Sequence, residues 1–120
     1  TRAQEMAKAA ATKSAIHFVS ATMVGSNHWN AWGDFDTNGT AYAAMGLRAV
    51  QKYNPAVRKW LESRVARDGG LRTAWSGLQG DRFATAQSFV ALKGLSYLNL
   101  IGIFCPHLWE LHLSCLRTVI

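Results

Sequence analysis

A short segment of the sequence, Asp-Phe-Asp-Thr-Asn-Gly-Thr, collects carboxylate and amide side chains that could do chemistry. Asp34, Asp36 and Asn38 have the alternating spacing with which calcium-binding loops present oxygen ligands. Such loops end with a bidentate carboxylate, and the residue at that position here is Met45. The simpler interpretation is that Asp36 and Asn38 cap the helix that follows. Asn38 also begins an Asn-Gly-Thr sequon and is a candidate glycosylation site.

Cysteine and histidine side chains form a second cluster near the end of the chain. The order is Cys105, His107, His112 and Cys115. These residue types bind zinc, but structural zinc sites use regular spacings, and this series is irregular and interrupted by Pro106. The sequence therefore predicts no metal site.

The elements that must position these residues include an internal repeat. The segment from Thr40 to Val50 resembles the segment from Thr85 to Leu95, 45 residues later. Asp36 and Asp81 also correspond, each four residues before its threonine. A period of this length is typical of repeat architectures, in which each unit buries its apolar face against its neighbours. Two copies are fewer than such arrays usually need, so we expect the fold to be completed by further sequence or by a partner.

Hydrophobic patterning predicts an all-α chain with two kinds of helix. We predict helices over residues 2–24, 40–53, 55–67 and 81–95, with loops over residues 26–39 and 71–80. The second and fourth helices are apolar nearly all round, whereas the third is amphipathic. This alternation predicts an inner layer and an outer layer, as in a partial α/α toroid with two repeats of about 45 residues. No segment alternates with period two, so we predict no sheet.

Composition limits the class of protein. The 120 residues suffice for one domain, and the hydrophobic content of 49% is that of a compact globular chain. The net charge is +6, but the basic residues are scattered, which favours a solvated surface over a nucleic-acid interface. Residues 95–113 contain too many polar groups for a bilayer span, and the chain does not open with a signal peptide.

Several short motifs resemble a known superfamily. The motifs are Trp60-Leu61, Asp68-Gly69-Gly70, Trp75, Thr85-Ala86-Gln87 and Ala91-Leu92. Their order is similar to that of the α/α-toroid superfamily, which includes terpenoid cyclases, protein prenyltransferases, thioester domains of α2-macroglobulin-like proteins and cobalamin-binding proteins. Over residues 36–105 the chain looks most like the helical domain of the cobalamin carriers transcobalamin and intrinsic factor. The spacing of eighteen residues from Gln87 to Cys105 is the same as theirs. Leu95 and Asn99 depart from the family, which has Lys and Asp there.

The resemblance implies a binding module rather than an enzyme. Residues 1–105 would be part of a helical toroid domain, and residues 106–120 would be an unmatched apolar tail. The ligand would be cobalamin (vitamin B12), with Gln87, Asn38, Thr40 and Tyr97 as the candidate binding residues. Amide side chains suit this ligand because they both donate and accept hydrogen bonds, as the corrin amides do. A carrier of this kind is a secreted, extracellular transport protein.

The resemblance also implies a disulfide at Cys105. The family's partner cysteine lies in a part of the toroid that this chain lacks. Either Cys115, the only other cysteine in the chain, is the partner, or the bond is missing.

Two other functions remain open. The first is a fragment of a terpene-cyclase-like enzyme, because Asp34 and Asp36 resemble the start of the Asp-x-Asp-Asp motif of class II cyclases, although Thr37 replaces the final aspartate. The second is a structural helical subunit of a larger assembly. In that case the apolar segment of residues 95–120 would be an interface, and the chain would associate with itself or with a completing chain.

Overall fold

The structure, a computed structural model, describes residues 1–104, and the surroundings of side chains through Leu100. The proposed tail of residues 106–120 lies outside the described residues. So do the candidate disulfide between Cys105 and Cys115 and the irregular cysteine and histidine series.

The described chain is mainly helical, as predicted. Five helices are present in residues 1–104: α1 (Arg2–Ala21), α2 (Thr37–Ala49), α3 (Pro55–Glu62), α4 (Arg82–Leu92) and α5 (Tyr97–Phe104). The prediction of no sheet is wrong. Strands β1 (Asn30–Ala31) and β2 (Asp34–Phe35) form a small antiparallel hairpin between α1 and α2. Each strand has only two residues, which is too short to produce a detectable alternation in the sequence.

Side-chain caps fix where the helices begin. α2 starts at Thr37, three residues before the predicted start, because the Asp36 carboxylate accepts the Gly39 N–H at 2.9 Å. Asp81 does the same for α4, accepting the Ala84 N–H at 2.8 Å. α3 begins at Pro55 as predicted, with the Asn54 side chain as its cap.

The helices end earlier than predicted because the following residues join other backbone partners. α1 ends at Ala21, since Val24 pairs with His28 in a bridge. α3 ends at Glu62, since Val65 pairs with Leu71. In both places a backbone hydrogen bond to the following loop replaces the continued helix.

Helices α2 and α4 lie side by side and run in the same direction. Near the start of α2 the Asn38 amide donates to the Gln87 side chain, and near its end the Arg48 Nε donates to the Gly94 carbonyl at 3.2 Å. α3 packs against both helices. The main core lies where these three helices meet, and its buried members are Ala41, Met45, Leu61, Leu71, Val90 and Ala91.

The connections alternate in length. Loop 1 (residues 22–36) leads from α1 to α2, and loop 2 (residues 63–81) leads from α3 to α4. Short connections, residues 50–54 and 93–96, lead from α2 to α3 and from α4 to α5. Because α2 and α4 run in the same direction, both long loops reach the amino ends of this helix pair.

Part of the apolar surface of the two central helices is uncovered by residues 1–104. On α4, Phe83 is 75% exposed and Phe89 is 60% exposed, and on α2 Tyr42 is 46% exposed. Aromatic side chains are usually buried when neighbours exist to cover them. Among the described residues no helix is both long and apolar enough to cross a membrane.

One buried hydroxyl gives a direct test of how α4 packs into the core. Ser88 is fully buried on α4, and its Oγ has no hydrogen-bond partner among the described residues. We expect Ser88→Ala to raise the free energy of unfolding by about 1 kcal/mol, because it removes an unpaired buried hydroxyl. Denaturant titration measures this change.

The control for this variant is Ala86→Ser, an exposed position on the same helix. It should lower stability only by the difference in helix propensity, roughly 0.5 kcal/mol. A loss of stability in Ser88→Ala would mean that the hydroxyl has a hydrogen-bond partner outside the described residues.

Candidate functional site

The two long loops are joined at the amino ends of α2 and α4. The Thr37 hydroxyl, at the first position of α2, donates to the carbonyl of Arg72 in loop 2 at 2.6 Å. Thr37 is 1% exposed, so this bond is shielded from water. Loop 1 and loop 2 therefore form one continuous surface above the helix pair.

A threonine in the first turn of α2 holds loop 1 in place. The Thr40 Oγ1 accepts the backbone N–H of Trp29 at 3.0 Å. The carbonyl of Trp29 in turn accepts the N–H of Asp36 at 3.0 Å. The indole of Trp29 donates to the Val19 carbonyl of α1 at 2.8 Å, so the same residue also ties loop 1 to α1.

Loop 2 is held by the same set of hydrogen bonds. The Thr85 Oγ1 accepts the backbone N–H of Leu71 at 2.8 Å, and the Leu71 carbonyl accepts the N–H of Asp81 at 2.8 Å. Leu71 is 1% exposed and belongs to the main core. The aspartate and threonine of each repeat thus have matching partners in the two loops.

Loop 1 exposes a tryptophan in a strained conformation. Trp32 and Gly33 form the turn of the β1–β2 hairpin, with φ of 54° and 82°. A two-residue turn with positive φ at both positions normally carries Asn-Gly, because a bulky side chain is unfavourable there. Trp32 is nevertheless 94% exposed, so burial of its indole does not compensate this strain.

The hairpin is fixed to the end of α3 by a stack of rings. The His28 and Trp60 rings are parallel within 4°, with centroids 4.7 Å apart. Phe35 meets Trp60 edge to face at 5.8 Å. The Arg64 guanidinium carbon lies 5.1 Å from the Trp60 ring and 5.2 Å from the Phe35 ring, which is cation–π distance. This contact holds the strand beside Trp32 in place.

The neck of loop 2 is closed by one carboxylate and two glycines. Asp68 accepts the N–H of Gly70 at 3.0 Å and the N–H of Gly80 at 3.0 Å. A Cβ placed on Gly80 would lie 2.4 Å from the Gly70 Cα, so neither glycine has room for a side chain. These donors, Gly80 first, lower the pKa of the Asp68 carboxyl below its ordinary value.

A cleft of about 180 Å³ lies between the two loops. Its walls come from both loops and from the first residues of α2: Ala31, Trp32, Phe35, Asp36, Thr37, Asn38, Thr73, Ala74 and Trp75. Trp75 is 77% exposed and Trp32 is 94% exposed, so two indoles stand at a shared opening. An exposed aromatic pair above polar groups can stack on a planar ligand and bind its edge.

The four residues proposed to bind a ligand are distributed unequally around this cleft. Asn38 lines it, and Gln87 bonds the Asn38 amide through its Oε1. The Thr40 hydroxyl is fully buried and engaged with Trp29, and Tyr97 begins α5, beyond the carboxyl end of α4. Of the four, the cleft therefore includes only Asn38 directly, and Gln87 acts on it through Asn38.

The acidic residues of loop 1 have local structural partners. The Asp34 carboxylate accepts the N–H of Phe35 at 2.7 Å, and the Asp36 carboxylate caps α2. Residues 1–104 contain no cluster of three His, Cys, Asp or Glu side chains that could hold a metal ion. The nitrogen of Asn38 that glycosylation would modify donates to Gln87, and Thr40 of the sequon is fully buried.

The sequence motifs include Trp75, but they do not indicate that Trp32 lies beside it or what positions the two side chains. His28, Phe35 and Arg64 were not recognised as one cluster, because they come from three separate segments.

Comparisons of this chain with protein-family models, with curated proteins and with solved structures find no match.

We expect the conformation of loop 2 to depend on pH through the Asp68 carboxylate. Its pKa is lowered in the folded state, so its contribution to stability is present above the pKa of the unfolded chain and is lost as the pH falls through the folded value. We expect acidification below pH of about 4 to release the Gly70 and Gly80 amides first. Amide chemical shifts recorded from pH 7 downwards measure this release.

Asp68→Asn is the control for this titration. Its amide oxygen can still accept one N–H, but it carries no charge and does not titrate. The Gly80 amide shift of this variant should therefore not change through the acidic range. If the Gly80 amide shift of Asp68→Asn still titrates with the wild-type midpoint, another group causes the transition.

Proposed function

We propose that this chain is a ligand-binding module, part of an α/α-toroid-like domain of the cobalamin-carrier kind. The binding site would be the cleft between loop 1 and loop 2. No catalytic step is proposed, because the acidic residues near the cleft serve as a helix cap and a hairpin contact.

The observation that carries this proposal is the strained, exposed tryptophan at the cleft. Backbone strain of this kind costs about 1–3 kcal/mol and is concentrated at binding and catalytic sites. Trp32 bears that cost with its indole in solvent and at the same opening as Trp75. A ligand that stacks between or upon these rings would account for their placement.

The amide pair at the edge of the cleft supports a ligand rich in amide groups. Asn38 lines the cleft, and Gln87 holds one of its donors, which leaves the Asn38 carbonyl oxygen as an oriented acceptor. The first residues of α2 also line the cleft, so the positive end of that helix dipole lies beside it and favours polar acceptors. Corrin side chains end in amides that suit such a site.

The matched loop contacts support the repeat architecture. Thr40 and Thr85 hold their loops by the same hydrogen bonds, and helix α3 packs outside the parallel α2–α4 pair. The alternation of long and short connections is that of a layered helical repeat. In such a repeat the long loops of successive units line one end.

The volume of the cleft limits how much of a ligand this site can hold. Ligand pockets usually measure about 300–1,000 Å³, and this cleft is about 180 Å³. The chain would therefore contact one edge of a corrin, and the remaining surface of the ligand would be covered by other parts of the fold.

The test is a spectral titration of cobalamin with the chain and its variants. We expect binding in the wild type, and at least about tenfold weaker binding in Trp32→Ala, in Trp75→Ala and in Gln87→Ala. Gln87→Ala acts by releasing the Asn38 side chain from its hydrogen bond.

The matched control is Leu78→Ala, which lies on loop 2 outside the cleft and is 83% exposed. Its affinity should equal that of the wild type. Absence of any spectral change with the wild type, or equal losses in Leu78→Ala and Trp75→Ala, would reject the cleft as a corrinoid site.

The strain at Trp32 makes a separate prediction about stability. Trp32→Asn places the preferred residue at the first position of this turn, so it should raise the free energy of unfolding by about 1 kcal/mol. The same substitution should weaken ligand binding. Thermal and denaturant unfolding measure the first effect, and the cobalamin titration measures the second.

Trp75→Asn is the control, because Trp75 does not have a positive φ. This substitution should weaken ligand binding without raising the free energy of unfolding. If both substitutions change stability equally, the strain at Trp32 is not the reason for the gain.

A second candidate function is a helical subunit completed by a partner. The uncovered aromatic side chains of α2 and α4 favour it, because soluble chains seldom leave such groups exposed on neighbouring helices.

A further inference from the structure

The contact between α2 and α4 has a residue-by-residue counterpart on the outer faces of the same two helices. In the 45-residue repeat, Asn38 of α2 corresponds to Phe83 of α4, and Gln87 of α4 corresponds to Tyr42 of α2. The first pair is in contact across the α2–α4 interface. The second pair consists of two exposed aromatic residues, one on each helix, 75% and 46% exposed.

The residues at the other end of the α2–α4 interface also have counterparts in the repeat. The Arg48 Nε–H donates to the Gly94 carbonyl. In the repeat, Arg48 corresponds to Lys93, and Gly94 corresponds to Ala49. Lys93 is exposed at the end of α4. The basic donor at this position is therefore kept in both repeats, but only Arg48 has a repeat beside it within residues 1–104.

The residues at the centre of the α2–α4 interface have exposed counterparts in the repeat as well. Ala41 and Ala91 are both buried in the main core, at 0% and 3% exposure, where α2 meets α4. Their counterparts are Ala86 on the outer face of α4 and Gly46 on the outer face of α2, and both are exposed. Small residues at these positions allow two helix backbones to approach closely.

We propose that a second copy of this chain docks head to tail, with its outer α2 face on the outer α4 face of the first. The outer α4 face (Phe83, Ala86 and Lys93) would contact the outer α2 face (Tyr42, Gly46 and Ala49) in the register of the α2–α4 interface. Phe83 meets Tyr42, Ala86 meets Gly46, and the Lys93 ammonium donates to the Ala49 carbonyl.

The argument for a second copy is the continuity of an interface that the chain already makes. Each outer face carries the counterpart of a face that is buried inside the same molecule, so the two outer faces complement one another. An apolar groove of about 290 Å³ between α1 and α2 opens beside Tyr42 and Gly46 and can receive part of the Phe83 ring. The contact is heterologous, so copies would form a ring or an open array.

Net charge sets the conditions for association. Each copy carries a formal charge of +6, so copies repel at low ionic strength. Association should therefore become stronger as salt is added, because the repulsion is screened while the aromatic contacts are retained.

The test is sedimentation velocity on the full chain across the micromolar range, with two single variants. Phe83→Asp places a charge on the outer α4 face, and Tyr42→Asp places one on the outer α2 face. We expect the wild type to associate and each variant alone to associate at least about tenfold more weakly. Both positions are exposed in the described chain, and circular dichroism verifies that each variant keeps its helices.

Mixing the two variants separates head-to-tail docking from other arrangements. In an equimolar mixture the intact Phe83 face of one variant can meet the intact Tyr42 face of the other. The two remaining faces both carry aspartate and repel. The mixture should therefore form a dimer and nothing larger. Leu78→Asp, which alters an exposed residue outside both faces, is the control and should associate like the wild type.

Three outcomes would overturn the proposal. The first is a wild type that is monomeric across the whole range. The second is association that neither Phe83→Asp nor Tyr42→Asp weakens, which would place the contact elsewhere on the chain. The third is a mixture that remains monomeric, which would mean that the two faces do not bind one another. These results do not depend on the loop cleft, so they test association separately from ligand binding.

Discussion

The hydroxyl group of a threonine in the first turn of a central helix organises this structure. Thr40 and Thr85 each accept a backbone N–H from the preceding loop, and Asp36 and Asp81 each donate their own N–H to the carbonyl of that same loop residue. An unpaired backbone group at these buried places would cost about as much as a lost hydrogen bond. The two contacts therefore determine where each loop enters the core and where each helix begins.

The loop conformations follow from these contacts. Because Trp29 and Leu71 are held at both their N–H and their carbonyl, the chain on either side must turn back over the helix ends. The distance between the two loops is then set by the hydrogen bond from Thr37 to Arg72. The cleft is the space that remains between two loops that are each fixed to a helix start.

The sequence predicted the parts of this arrangement that depend on local chemistry. The correspondence of Asp36 with Asp81 is visible in the chain, and both residues cap their helices. The sequence predicts that α2 starts at Thr40, whereas the helix starts at Thr37. Asp36 and Asn38 are both suitable caps, and the sequence does not indicate which of them accepts the first free N–H. The β1–β2 hairpin was missed because its strands are too short to carry a pattern.

The candidate site was less accessible to sequence reasoning, since it is assembled from separate segments. Asn38 and Gln87 lie 49 positions apart and meet only because α2 and α4 are parallel. Thr40 was placed among the ligand-binding residues by resemblance, whereas its hydroxyl serves the backbone of Trp29. Such differences arise wherever a polar side chain can satisfy either the fold or a ligand, and the surrounding contacts decide between them.

Helix α1 stands apart from these constraints. It is twenty residues long, and none of its side chains is buried among the described residues. Only its last turns touch the rest, through Val19 and the indole of Trp29. Most helix stability in proteins comes from tertiary packing, which α1 largely lacks, so α1 depends on its alanine content and on the Thr1–Gln4 capping box. We therefore expect the amino-terminal half of α1 to unfold locally as a separate unit that leaves the helix pair and its loops intact.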